Sequence, residues 1–486
     1  MAALTCPKTS PSVYKPRRPE KTVLYEVIRK YYKSWAKQSE KSDKEIPFYV
    51  HREFKSYIKC GILAHGFACA HCYACHNDFL LAFSCKGRGI CPSCAARDMV
   101  ETAAHIRENV IPQIPVRQWV VSFPKRIRHY LQTDAILQKV LRIVANEIKK
   151  KIISCSPEIP NPEFGAVSFI QRFGNTLNLH PHFHFIVADG VFEKNGESFN
   201  FHEVILTQDD IDDAQDAIEK SVLRLFNRRG WFDDDEVEKI LSYENTGFSL
   251  DAKVRIQAFD RDGLERLIRY CARPAFASEN RRWNGKWLNY RLPKPCHTGK
   301  IQITIEPLEF LDKIAALIPP PRRHRHHYHG AFAPNSPLRP SITTAAIQTP
   351  AKVVPPVLQE AAQKTSKISF TWAKLIARIY ETDPLLCPCG KEMKITKIVT
   401  DSTEIWRILT KNGWPTTTPE FDGPLDLVEW DICQLVRETA DGFPDDYDQS
   451  HTSGTDPPES HFLEDNFSGD NVDSPHWEDQ VFIQYD

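Results

Sequence analysis

Apolar positions along this chain of 486 residues change period several times, and each change marks a different element. Val23, Leu24, Val27, Ile28, Tyr31 and Tyr32 recur three and four apart, the spacing of one helix face. Trp119-Val120-Val121-Ser122-Phe123 is rich in β-formers and predicts a strand. Ile136, Leu137, Val140, Leu141, Val144 and Ile148 return to helical spacing and predict a helix over 133–153. Ala166-Val167-Ser168-Phe169-Ile170 predicts a second strand. The turn-forming Gly174-Asn175-Thr176 then leads back into a third, as an antiparallel pair requires. Further helices are predicted over 208–228 and 263–273. Strands mixed with helices, without a strict βαβ rhythm, predict an α+β fold.

The third strand, Leu179 to Val187, carries the most chemistry. Residues two apart share a face of a strand, so His180, His182 and His184 point one way and Phe183, Phe185 and Val187 the other, into a core. His182 and His184 form a candidate metal pair, and the amide oxygen of Gln171 on the neighbouring strand is a candidate third ligand. Two imidazoles and one oxygen leave positions open for water and a phosphate oxygen, which suits Mg²⁺ or Mn²⁺ acting as a Lewis acid. His180 shares the face but precedes Pro181, and is read as a supporting or DNA-contacting residue. In a protein taken at random, an H-x-H in a strand is more often incidental than a ligand pair.

The pattern divides the chain into a basic arm and helix (1–50), a cysteine-rich segment (51–105) and a mixed strand–helix domain (106–333). A Pro/Ala/Thr/Gln-rich linker (334–368), a small segment (369–440, with a helix predicted over 371–380) and an acidic, disordered tail (441–486) follow. The tail holds thirteen Asp or Glu and no Lys or Arg. Removing those thirteen from 63 acids leaves 62 basic against 50 acidic residues in 1–440, a net of +12 behind an overall charge of −1. A basic body suits a polyanionic partner. No apolar run has the length of a membrane span and 1–18 lacks a signal-peptide core, so a cytoplasmic protein without a membrane partner is expected.

Seven of the fourteen cysteines fall between Cys60 and Cys94, which argues for metal thiolates over disulfides. Cys72-x2-Cys75, fifteen residues, then Cys91-x2-Cys94 has the spacing of a four-thiolate zinc site. Cys60, Cys69 and Cys85, with His65, His71 and His76, leave ligands for a second zinc. Such a module either contacts DNA or only folds a segment too small for its own core. Cys387-Pro388-Cys389 has no partner pair nearby and is assigned no metal.

Leu264 to Arg273 predicts a short helix ended by Pro274. Tyr270 on it is flanked by Arg266, Arg269 and Arg273, cations that attract a phosphate beside a hydroxyl able to attack one. Taken alone, this segment fits a packing tyrosine on an amphipathic helix better. The run Pro319 to Gly330 concentrates Arg322, Arg323 and Arg325 with four histidines and a tyrosine, a composition suited to phosphate contact and base stacking, or to a solvated charge run.

Together these segments resemble the HUH-class rolling-circle transposases of the insertion sequence ninety-one family, in particular its common-region branch. The resemblance rests on Cys60-Gly-Ile-Leu-Ala-His-Gly-Phe, Phe83 to Cys94, Arg117-Gln-Trp-Val-Val-Ser-Phe-Pro, Gln171-Arg-Phe-Gly, Asn178 to Phe192, Arg269-Tyr-Cys-Ala-Arg-Pro, Pro319 to Gly330 and Trp372 to Glu381. It covers about residues 45–415. It implies an N-terminal zinc-binding domain with structural Zn²⁺, then an antiparallel-sheet HUH domain with a catalytic divalent metal on His182 and His184 and with Tyr270 as nucleophile. It further implies nicking and rejoining of single-stranded DNA at element ends through a 5′-phosphotyrosine. Arg266 stands where some relatives carry a second tyrosine, so a single-tyrosine enzyme is expected. DNA is the expected partner, a homo-oligomer stays open, and a non-catalytic DNA-binding derivative of a transposase is the alternative.

Overall fold

In the computed structural model the described residues are 18–348 and 385–422, apart from 43, 244, 276–280, 293–294 and 296–298. The basic arm before Arg18, the helix expected over 371–380 and the acidic tail lie outside them. The fold is α+β, with antiparallel strand pairing throughout.

The central sheet runs in the order His326–Gly330, Gly165–Phe173, Leu179–Ala188, Val116–Ser122 and Ser249–Asp251, with Arg255–Ile256 also paired to Val116–Ser122. Alternation along the histidine strand (Leu179–Ala188) assigns its two faces. Phe183, Phe185 and Val187 enter a core with Trp119, Val121 and the apolar stripes of the helices Asp134–Ser154 and Gln208–Arg228. Ile186 and Ala188 face the opposite way, into a core shared with the helices Pro92–Asn109 and Arg261–Ala272. Its histidines fall on this second face.

The second face is therefore covered by the helix that carries Tyr270. That helix starts where Asp260 accepts the Gly263 N–H at 2.8 Å and ends before Pro274. Leu264, Leu267, Ile268 and Cys271 are its buried stripe, which leaves Tyr270 half-buried at the C-terminal end. Of the segment read as linker, Arg339–Gln348 is a helix, anchored by Leu338 and Ile342 in the same core. Those apolar positions give it a face to bury, which a solvated linker lacks.

A third core joins the helices Val23–Lys41 and Phe48–Lys59 to the helix Pro307–Ala316 and the sheet formed by Arg281–Trp283, Leu288–Arg291 and Gln302–Ile305. The cysteine module thus packs on residues distant in sequence. Its hairpin, Phe67–His71 with Asp78–Ala82, takes Lys394–Val399 as a third strand beside Phe67–His71. Among the described residues no helix is long and apolar enough to cross a membrane.

Candidate functional site

Strand register builds the histidine site. Gln171 lies directly opposite His182, and Phe169 and Val120 flank His184 from the two neighbouring strands. The His182 and His184 ring centroids are 5.0 Å apart. His182 Nδ1 donates to the His180 carbonyl at 2.9 Å, so its Nε2 keeps the lone pair a metal needs. The Gln118 side-chain amide lies 2.9 Å from His184 Nδ1. With its oxygen turned to that position, the amide accepts Nδ1–H and frees Nε2 in the same way.

Both rings are neutral at ordinary pH. His182 is pushed down to about 4, first by burial; its hydrogen bond to His180 opposes this, and Arg273 and Arg128 add to it. His184 is held well below the usual imidazole range, first by burial, then by His182 and Arg273. A neutral imidazole is the ligand form.

Gln171 spans from sheet to helix. Its Nε2 donates to the Tyr270 and Cys271 carbonyls at 3.0 and 2.9 Å, while its Oε1 is buried with no hydrogen-bond partner. His184 Nε2 is likewise buried and unpartnered. A buried polar atom without a partner is costly, and a cation between these atoms would satisfy both. The residues present therefore fit a divalent ion, which could be held by His182, His184 and Gln171.

Tyr270 meets this set edge-on: its ring centroid is 5.4 Å from that of His184, at 89°. Of the three expected arginines only Arg273 stays with it, its guanidinium 4.7 Å from the ring centroid. Arg269 is paired to Glu265 at 2.7 Å and Arg266 to Asp260 at 3.8 Å. Acids on or just before the same helix take these two cations, a competition that the run of arginines conceals. Arg322 is exposed with φ of 57°; Arg323 is also exposed and pairs with Asp134 at 2.9 Å, while half-buried Arg325 pairs with Asp98.

The expected four-thiolate set does not assemble. Cys72 and Cys75 sit at the tip of the hairpin, whereas Cys91 and Cys94 open the helix Pro92–Asn109. Five strand residues at about 3.4 Å each separate tip from base by roughly 17 Å. The base of the hairpin instead brings Cys60 beside Cys85, where Gly61 N–H donates to the Phe83 carbonyl at 2.9 Å. Cys60, Cys85, Cys91 and Cys94 form one set, with Sγ–Sγ separations of 3.6 Å (Cys60–Cys91), 3.8 Å (Cys60–Cys94) and 3.5 Å (Cys85–Cys94). Bonds of about 2.3 Å at the tetrahedral angle place sulfurs about 3.8 Å apart. Hydrogen bonding to the Cys60, Cys91 and Cys94 thiols, then burial, pushes the Cys85 thiol far up. Four thiolates so crowded need a cation.

The second set is completed from far along the chain. Strand Lys394–Val399 runs against Phe67–His71 with Lys394 opposite His71, which carries the preceding Cys387 and Cys389 to the hairpin tip. There Cys72 and Cys389 are 3.5 Å apart and Cys75 and Cys387 3.2 Å. Cys72, Cys75, Cys387 and Cys389 thus form a metal-capable set, and the reading of Cys387 and Cys389 as metal-free for want of a partner pair is corrected. The backbone N–H of Cys75 leads in pulling the Cys72 thiol down to about 6, against burial. Cys69 joins neither set; it lies on the strand Phe67–His71 against a small apolar cluster with Phe67 and Val399. His71 is bound to Asp78 at 2.7 Å, and His65 and His76 are in neither set.

Sequence reasoning missed Gln118 and the Cys387–Cys389 partnership. A buried polar residue beside Trp119 in an apolar strand was a signal for Gln118. Nothing local marked the second.

Comparison with known proteins gives two matches. Residues 27–123 match the family described as "Transposase zinc-binding domain", in its insertion sequence ninety-one form, and residues 165–339 match the family described as "Putative transposase". No curated protein and no solved structure matches the chain. The first match spans the thiols Cys60 to Cys94, so zinc is the metal these sets support, and the second spans His182, His184 and Tyr270. A zinc-binding module followed by a transposase domain places this DNA-binding, DNA-processing chain in the insertion sequence ninety-one family of transposases.

Proposed function

We propose that the protein nicks and rejoins single-stranded DNA at the ends of a mobile element, by rolling-circle transposition of the HUH type with Tyr270 as its one nucleophile. The observation that carries this reading is the approach of the Tyr270 ring to His184, 5.4 Å between centroids, on a helix end that Gln171 ties to the histidine sheet. Tyr270 Oη attacks the scissile phosphorus, and the bond to the 3′ oxygen breaks as the new P–O bond forms. The departing 3′-hydroxyl takes up the proton lost by the phenol. One phosphodiester is exchanged for another, so attack by a 3′-hydroxyl on the phosphotyrosine reverses the step and joins strands.

His182, His184 and Gln171 would hold Mg²⁺ or Mn²⁺, which when bound polarises the phosphate. Arg273, beside the ring, offsets charge developing on the phosphoryl oxygens. Gln118 and the His180 carbonyl fix the ring orientations.

The test is a labelled single-stranded oligonucleotide bearing the element end, incubated with Mn²⁺. The expected result is a denaturant-stable protein–DNA adduct that is absent in Tyr270→Phe and reduced about a hundredfold or more in His184→Ala. Tight binding without cleavage by the intact protein would overturn this reading and leave a non-catalytic DNA-binding protein.

A further inference from the structure

We infer that the zinc module and the transposase domain share one single-strand track: a groove of about 250 Å³ between Arg88 on the zinc side and Arg172, Arg273, Arg323 and Arg325 on the other. Neither family match gives the two domains a common ligand surface. The groove also touches Gln171 and Cys271, so one end opens at the helix that carries Tyr270.

The first thiol set builds the zinc-side wall. Cys85 Sγ accepts the Gly87 N–H at 3.3 Å, and Glu53 accepts the Arg88 and Gly89 N–H groups, both at 3.4 Å. Gly89 lies so close to Ile318 that a Cβ would come within 2.9 Å of its side chain. The Arg88 guanidinium donates to the Arg323 carbonyl, and Arg325 donates to the Arg88 carbonyl at 3.4 Å. Loop and Arg/His segment therefore hold each other's backbone. The wall is made from both domains.

Charge identifies the occupant. Five arginines line the groove against two acids, Asp98 and Asp134, a surplus of three positive charges. Asp134 answers both Arg172 and Arg323, at 2.9 Å in the second case. Arg273 has its Nε buried without a partner. Its guanidinium lies 5.6 Å from the Phe173 ring, which also lines the groove and offers an apolar face to a base. A phosphodiester backbone with stackable bases matches this set. A duplex keeps its bases stacked on one another and has none to offer the Phe173 ring, so the occupant is a single strand. Only the direction of the strand, towards Tyr270, rests on the proposed chemistry; the affinity does not.

The experiment is fluorescence anisotropy of the full-length, zinc-loaded protein with a labelled oligo(dT) and with a matched duplex, across a salt series. Arg88→Ala and Arg323→Ala should each weaken oligo(dT) binding roughly five- to twentyfold and lower the slope of log affinity against log salt by about 0.7, while Arg88→Lys keeps the slope. Zinc content and melting temperature report folding, and if Arg88→Ala loses zinc, Arg323→Ala alone decides. Binding within twofold of the parent with an unchanged slope, or equal losses for duplex and oligo(dT), overturns the track. The adduct assay is read separately. Loss of affinity in these variants with no adduct from any protein sinks the chemistry and keeps the track, and an adduct without loss of affinity does the reverse.

Discussion

At the scale of single residues, burial sets the protonation state of the groups that matter. His182 and His184 are neutral because desolvation penalises their cations, and each has its Nδ1 engaged by a neighbour. The same physics acts on Glu219, which no site uses. Its Oε2 accepts from Thr246 at 3.0 Å, its Oε1 has no partner, and burial raises its carboxyl from 4.5 to about 7. A raised carboxyl favours the folded state below about 4.5, and that advantage is lost as pH climbs to about 7, because the unfolded chain releases its proton first. Glu219→Gln should therefore raise the unfolding free energy by on the order of 2–3 kcal/mol at pH 8 and leave it nearly unchanged at pH 4. Denaturant unfolding at the two pH values checks this; equal effects at both would refute the ionisation argument. Facing was legible at this scale, since strand parity alone puts His182 and His184 on one side. Partners were not: Gln118 reaches His184 only because register sets Val120, two residues further on, opposite it.

At the scale of elements, register decides whether the site exists, because a slip of one residue would turn the histidines into the other core. Asp189, which ends the histidine strand, holds that register. It is fully buried, accepts from Arg117 Nε at 2.7 Å and Nη2 at 3.1 Å, and also pairs with Arg255, so one carboxylate ties three strand segments together. Removing one member of a buried ionic cluster leaves the others uncompensated. Asp189→Asn should destabilise the protein by about 3 kcal/mol, and Arg117→Leu added to it should recover part of the loss. A shift in the denaturant midpoint worth under about 0.5 kcal/mol would show that apolar packing alone fixes the register. Elements with strong periodicity were readable: the helix expected over 133–153 is Asp134–Ser154, and the strand expected over 119–123 is Val116–Ser122. The hairpin between the cysteine pairs was not. Phe67–His71 alternates weakly, and missing that hairpin made Cys72 and Cys75 look like partners of Cys91 and Cys94.

At the scale of the whole molecule, Cys75 and Cys387 meet across 312 residues, so one ion would close the chain around the transposase domain. Closing so long a loop opposes much chain entropy, and the strand Lys394–Val399 helps by adding backbone pairing and burying Met393 and Val399. The two thiol sets differ in access. Each set has one half-buried thiol, Cys85 or Cys75, but the other three of the first set are buried, whereas Cys389 of the composite set is exposed beside buried Cys72 and Cys387. A chelator should therefore remove zinc in two steps, with the composite set emptied first. The purified full-length protein should carry two zinc ions. Cys387→Ser with Cys389→Ser should carry one and lack the fast step, while keeping the slow one. Metal analysis and the kinetics of chelator-induced release check both statements. A parent with a single ion, or a fast step that survives the double substitution, would mean that only the pairing of Lys394–Val399 with Phe67–His71 and its apolar contacts bring the two ends of the chain together.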